Sequence, residues 1–187
     1  MIRLHGNGRA LFTPGAGPGA PRRLHLIRHG ETDLNARGVL QGSIDAELND
    51  RGRAQAAQAA QALRTLRLQR IVSSPQRRAL QTAGIIAAEL GLPITTDPVL
   101  RERNWGENEG KPRDARSLHG AGVEPLDALQ ARALAALRAV VAPPAGGTLV
   151  VSHGGLMREM LAVLGCAPTA RLRNCEIIEL SLEPADA

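Results

Sequence analysis

Two histidines of this chain stand directly after apolar, strand-like runs and directly before glycine. His29 follows Leu26 and Ile27, with Arg28 between; His153 follows Leu149 to Ser152 and precedes Gly154 and Gly155. A neutral imidazole nitrogen can attack phosphorus, a guanidinium can hold phosphate oxygens in a planar fork, and glycine lets backbone approach an anion closely. A third segment, Ile71 to Thr82, reads as a strand leading into a helix, with Ser74 as cap and Pro75 at the first helical position. Arg78 then falls in the first turn, where its guanidinium and the free N–H groups can face one anion together; Arg77 reads as solvated surface. A fourth segment, Leu100 to Gly110, supplies Glu102, Glu107 and Glu109, and so a carboxyl for proton transfer.

The elements that must position these residues alternate between strand and helix. Strands are expected at 24–28, 70–73, 93–96, 148–152 and 176–182. A helix begins at Asn49 or Asp50 with Ala56, Ala59, Ala60, Leu63 and Leu66 on one face, another spans 75–90 with Gly91 as its stop, and a third runs from Leu156 to Leu164. This succession predicts a three-layer α/β/α sandwich with a mostly parallel sheet and right-handed crossovers. His29, Arg78, Glu102 and His153 would all lie just beyond strand carboxyl ends, where open α/β sheets bind ligands. Between Gly110 and Gly147 the alternation stops, which predicts a small helical cap insertion at about 111–146. Within it Glu124 and Pro125 open a helix to about Val141, whose stripe of Leu126, Leu129, Ala133, Leu137 and Val140 reads as core. His119 reads as a solvent-exposed loop residue, and Trp105 as a wall of the pocket or a packing residue.

With these motifs in order, the chain resembles the histidine phosphatase superfamily in its phosphoglycerate-mutase-like branch, over roughly residues 23 to 182. The resemblance rests on Arg28-His29-Gly30-Glu31-Thr32 with Asn35, Gln41-Gly42, Asp45, Leu48 and Gly52. It continues through Ser73-Ser74-Pro75 with Arg78-Ala79 and Gln81-Thr82, then Arg101-Glu102, then Ser152-His153-Gly154. It implies a phosphohistidine on His29, a phosphate pocket from Arg28, Arg78 and His153 with help from Asn35, and Glu102 as proton donor. Thr32, Gln41, Gly42 and Gly154 are implied beside the substrate. His29 must be neutral to attack while His153 is more useful as a cation, so the site asks opposite protonation states of two imidazoles. Glu107 and Glu109 are expected near Glu102, raising its proton affinity.

Within that branch a phosphomonoesterase of small phosphorylated metabolites is favoured over phosphoglycerate-mutase-type transfer. Only 50 residues separate Glu102 from His153, and the chain stops soon after the last strand, whereas mutases of the family carry a longer insertion and a C-terminal extension. A non-catalytic phosphoester-binding module is the reading from another class, and the presence of His29, Arg28, Arg78, His153 and Glu102 counts against it. Asn108 stands where the family has an aromatic, and Ala46-Glu47 where it has a small residue and proline, so the substrate is left open.

Composition bounds the rest. At 187 residues and 43% hydrophobic the chain suits one well-buried domain. Arg3, Arg9, Arg22 and Arg23 lie in an N-terminal stretch without acids, and removing these four from the formal +5 leaves +1. With one Trp, one Phe and no Tyr there is no basic stripe interleaved with stacking aromatics, so nucleic acid is not expected as a partner; a small-molecule phosphomonoester is. The same reading admits a homodimer. No apolar run reaches the length of a membrane span. Residues 1–21 hold five glycines and three prolines without a repeat, so 1–22 are expected to form a disordered tail before a domain at 23–187. Cys166 and Cys175 read as buried free thiols of a cytoplasmic protein. No cofactor is expected, nor a metal: His25 and His29, four apart in a strand, would stand roughly 13 Å apart, so His25 reads as structural.

Overall fold

In a computed structural model the described residues are 1–7, 22–115, 119–141, 147–166 and 170–183. They build a six-stranded sheet in the order β1-β6-β2-β5-β3-β4. The strands are β1 Ile2–Asn7, β2 Arg22–Arg28, β3 Leu68–Ser73, β4 Ile94–Thr96, β5 Gly147–Ser152 and β6 Ile177–Glu183. β2, β5, β3 and β4 are mutually parallel, whereas β6 runs antiparallel to β2 and carries β1 parallel to itself on its far side.

The inner strands alternate which core they feed. Leu24 and Leu26 of β2 and Val150 of β5 face one layer, made by α4 (Leu126–Val141) and α5 (Gly154–Val163). Ile27, Leu149 and Val151 face the other, made by α2 (Asp50–Leu63) and α3 (Arg77–Leu90). Burying both faces of a parallel sheet under helices is what selects near-continuous apolar strands, and the result is the expected three-layer sandwich. A four-residue helix, α1 (Asp33–Ala36), follows β2; Thr32 and Asn35 close a reciprocal capping box at its start. Among the described residues no helix is long and apolar enough to cross a membrane.

Four expectations need correction. Residues 2–7 are an edge strand rather than a tail: Leu4 packs on the core and Arg3 pairs with Glu179 at 3.2 Å. The glycines and prolines that suggested disorder fall, apart from Gly6, at 8–21, and that part of the expected tail lies outside the described residues. α3 starts at Arg77 with Gln76 as N-cap; Ser74 instead accepts the Gln76 N–H at 3.3 Å, so neither Ser74 nor Pro75 has the expected position. The stretch 111–146 is not one cap. Its helix α4 is a core layer, with Leu129, Ala133, Leu137 and Val140 buried and Leu126 half exposed, while residues 116–118 and 142–146 lie outside the described residues. Cys166 and Cys175 are free thiols as expected, yet half-buried. His25 is buried on the sheet as expected, with both ring nitrogens unpartnered.

Candidate active site

The carboxyl ends of β2, β3 and β5 and the segment after β4 open into a cleft of about 540 Å³. Its floor carries Arg28, His29, Arg78 and Glu102, with Asn35, Gln41, Gly42, Gly154 and Gly155 around them. Arg113, Arg158, Arg171, Trp105 and Leu126 stand further out. Four stretches far apart in sequence therefore converge because each ends a neighbouring parallel strand.

His29 is 2% exposed, and its Nδ1 lies 2.7 Å from the Gly30 carbonyl. A carbonyl only accepts, so Nδ1 carries the proton and Nε2 keeps its lone pair. Burial, then the charges of Arg28 and Arg78, hold the imidazole well below its usual range, so the ring is neutral at pH 7. The backbone behind it is fixed: Asn174 Nδ2 donates to the His29 carbonyl at 2.9 Å, and Gly30 N–H donates to Thr82 Oγ1 at 3.0 Å. A Cβ on Gly30 would stand 2.5 Å from the Gly52 carbonyl oxygen, which explains the glycine there.

Two arginines lie beside this ring, and among the described residues neither has a carboxylate within 4 Å. Arg28 donates from Nη1 to the Leu172 carbonyl at 2.7 Å, and its buried Nε has no partner. Burial, reinforced by Arg171, lowers its pKa to about 10, so it stays cationic. Arg78, 1% exposed, donates to the Ile44 carbonyl at 2.6 Å, the Gly42 carbonyl at 2.9 Å and His153 Nδ1 at 3.2 Å. Its pKa too is lowered by burial. Buried cations held by carbonyls rather than by acids keep charge available for an incoming anion.

His153 departs from expectation. Its Nδ1 accepts from Arg78, so Nε2 bears the proton and meets Ser74 Oγ at 2.8 Å; both nitrogens are occupied. Burial and then Arg78 keep it well below its usual range, so it is neutral rather than a cation. It does not line the cleft. It backs His29, ring centroids 5.1 Å apart, and fixes Arg78. Thr32 also stays out of the cleft, its hydroxyl spent on the α1 cap. Asn35 uses Oδ1 on Thr32 N–H and Asn174, leaving its amide N–H groups for the cleft. Gln41 is buried with Oε1 unpartnered.

The Glu102 carboxylate sits on the start of α5. Oε1 accepts from Arg103 N–H at 2.8 Å and Leu156 N–H at 3.2 Å, Oε2 from Gly155 N–H at 3.1 Å. A Cβ on Gly155 would overlap Glu102 Oε1 and come within 3.1 Å of Cδ, so only glycine admits the carboxylate here. The expected neighbours are engaged by other donors: Glu107 accepts from Ala121 N–H, and Glu109 from Ser43 N–H, Ser43 Oγ and Trp105 N–H. Trp105 lines the cleft with the Arg103 guanidinium 4.6 Å over its ring. Arg77 is on the surface and pairs with Glu47 at 2.7 Å, as expected of a solvated residue, while its N–H meets Asp45.

Sequence reasoning missed Gln76 and Asn174. Gln76 ties the site together, donating from Nε2 to the Gly42 carbonyl at 2.8 Å and accepting Glu102 N–H at 2.9 Å. Gln76 and Asn174 are ordinary letters in unremarkable contexts, and only strand order reveals their partners. Among the described residues no three His, Cys, Asp or Glu side chains are grouped to hold a metal ion.

Residues 24–185 match the histidine phosphatase superfamily (branch 1). A relative from Yersinia pestis (strain Pestoides F), described as probable phosphoglycerate mutase GpmB, is 37% identical over 177 aligned positions, covering 83% of this chain and 82% of its own. Among solved structures, YhfR of Bacillus stearothermophilus superposes with TM-score 0.75 at 29% identity, covering 84% of this chain and 89% of that one. The mycobacterial glucosyl-3-phosphoglycerate phosphatase gives 0.72 at 28%, covering 85% and 89%.

Proposed function

Because the chain belongs to the histidine phosphatase superfamily, branch 1, we propose that it is a phosphomonoesterase of small phosphorylated metabolites acting through a phosphohistidine on His29. The observation that carries this reading is an unprotonated Nε2 on a buried neutral imidazole, beside two buried guanidiniums held by backbone carbonyls. Transferring phosphoryl groups spread negative charge over their equatorial oxygens, so fixed cations and positioned donors supply most of the stabilisation.

In the first step His29 Nε2 forms a bond to phosphorus as the ester P–O bond breaks. Arg28, Arg78 and the Asn35 amide hold the oxygens, and Glu102 gives its proton to the departing alkoxide. In the second, a water attacks the phosphohistidine, Glu102 takes its proton, the N–P bond breaks and inorganic phosphate leaves. His153 acts here through Arg78 rather than on the phosphate. The cytoplasm, where free thiols such as Cys166 and Cys175 stay reduced, is the compartment we assign.

The short segment between Glu102 and His153 favours hydrolysis; the name of the Yersinia relative supports mutase transfer as the second reading. Rapid acid quench of enzyme mixed with 32P-labelled phosphoester tests the intermediate. Acid-labile label is expected on the wild type and absent from His29→Ala, together with at least a 10³-fold loss of turnover. Wild-type hydrolysis by folded His29→Ala would end the proposal. Release of phosphate to water, against return of the phosphoryl group to phosphoglycerate, separates the two readings.

A further inference from the structure

Glu102 is held at more points than its carboxylate. Its N–H goes to Gln76, and its carbonyl accepts from Arg132 Nη2 at 3.4 Å. Arg132 belongs to α4, a different helix from the α5 that receives the carboxylate. Its Nη1 also takes the carbonyls of Val99 at 3.0 Å and Arg101 at 2.6 Å, so one guanidinium gathers three carbonyls of the chain that delivers Glu102. The fork itself is set by Glu124: Nε to Oε1 at 2.8 Å and Nη2 to Oε2 at 2.7 Å, both side chains about four-fifths buried.

Glu124 grips the far end of the same segment. Its Oε2 accepts from Asn104 N–H at 3.3 Å, and its backbone N–H donates to the Asn104 carbonyl at 2.9 Å. Its own carbonyl receives Nε and Nη2 of Arg103 at 3.0 and 2.8 Å. The stretch from Val99 to Asn104 is therefore fastened at both ends, by Arg132 within α4 and by Glu124 just before it, with Glu102 between. Such a bidentate, largely buried pair differs from an exposed ion pair in having its geometry set before substrate arrives.

We infer that the Glu124–Arg132 pair is a positioning device for proton transfer: it holds the Glu102 carboxylate against the start of α5 and thereby sets the rate at which poor leaving groups depart. The inference rests on the reading of Glu102 as the acid. Neither residue lines the cleft, so neither touches substrate. Both act through the loop.

The test uses two substrates whose leaving groups differ in their need for a proton, glycerol 3-phosphate and p-nitrophenyl phosphate. Arg132→Lys keeps the charge but loses the fork. Its kcat/KM is expected to fall about 10-fold more on glycerol 3-phosphate than on p-nitrophenyl phosphate, the size expected for a carboxyl displaced by a fraction of an ångström. Glu124→Gln should show the same bias more weakly, and thermal unfolding of both variants checks that they are folded. In a Glu102→Gln background, Arg132→Lys should add nothing further to the bias. If Glu102→Gln is selective while folded Arg132→Lys and Glu124→Gln slow both substrates equally, the pair is merely structural and the inference is overturned. If Glu102→Gln shows no selectivity, the acid assignment itself fails, and this inference with it.

Discussion

Replacing Gly155 by alanine isolates the contact between Glu102 and α5 with the least other damage. Gly155 is the second residue of α5 and has no positive φ, so alanine suits its backbone. On helix propensity alone the change stabilises by about 0.5–1 kcal/mol. Against this, the new Cβ would overlap Glu102 Oε1, and the carboxylate must retreat from the N–H groups of Gly155 and Leu156. Charge-assisted bonds of this kind contribute about 1.5–3 kcal/mol each, but the bond from Arg103 N–H is kept and water entering from the cleft replaces most of what the other two supplied. The net change in stability is therefore small, within about 2 kcal/mol. The catalytic cost is larger: a group moved by roughly 1 Å loses on the order of 10²-fold in rate. Steady-state kcat/KM on glycerol 3-phosphate should fall by about 10- to 100-fold, p-nitrophenyl phosphate should lose much less, and the melting temperature should move by only a few degrees. Equal, wild-type activity on both substrates would refute the claim that Glu102 works from the start of α5. A large loss of stability would show that the carboxylate serves the fold instead.

Protonation of His29 and His153 should couple stability to pH. Both have lowered folded-state values, so below about pH 6.5 the unfolded chain binds more protons than the fold, and stability is lost as pH falls through that point. The limiting slope is about 2.7 kcal/mol per pH unit for the two together, at 1.36 each, and denaturant titrations from pH 7.5 to 5 should show it shrinking in His153→Asn. Inorganic phosphate should raise the wild-type melting temperature by mass action but leave that of Arg78→Met unmoved; an equal shift in both would place the anion elsewhere. EDTA should leave hydrolysis unchanged and vanadate should inhibit it, whereas loss on chelation restored by a divalent ion would contradict a cationic pocket made of arginine alone.

What could be read in the letters were the residues near the carboxyl ends of strands: His29 follows β2 directly, and Arg78 and Glu102 stand one short connection beyond β3 and β4. His29, Arg78 and Glu102 reach one cleft because the parallel sheet aligns the ends of β2, β3 and β4, and the strand periodicity announces that alignment. Three kinds of information were not legible. The protonation of His153 depends on Arg78 donating to its Nδ1, a contact spanning 75 positions. The neighbours of Glu102 could not be ranked by sequence proximity, since Glu107 and Glu109 are engaged by Ala121, Ser43 and Trp105 while Arg132 and Gly155 approach from two helices. β1 was hidden because its partner, β6, lies at the other end of the chain and the Gly/Pro-rich stretch between dominated the local composition.

That last pairing bears on how the molecule is made. β6 sits between β1 and β2, and among the described residues β1 pairs with no other strand, so the first of these six strands to be made has no partner in the sheet until the last of them emerges. The loop just before β6 also carries Leu172 and Asn174, which hold Arg28 and the backbone of His29. On the ribosome, then, β2, β5, β3 and β4 can assemble with their helices while both the sheet's far edge and the catalytic floor remain open. Sequence-distant closure of this sort slows folding and leaves strand edges exposed meanwhile. It also means that a chain lacking its final segment would lack the Leu172 and Asn174 contacts that hold Arg28 and the backbone of His29, so the proposed turnover is expected only once the whole domain is closed.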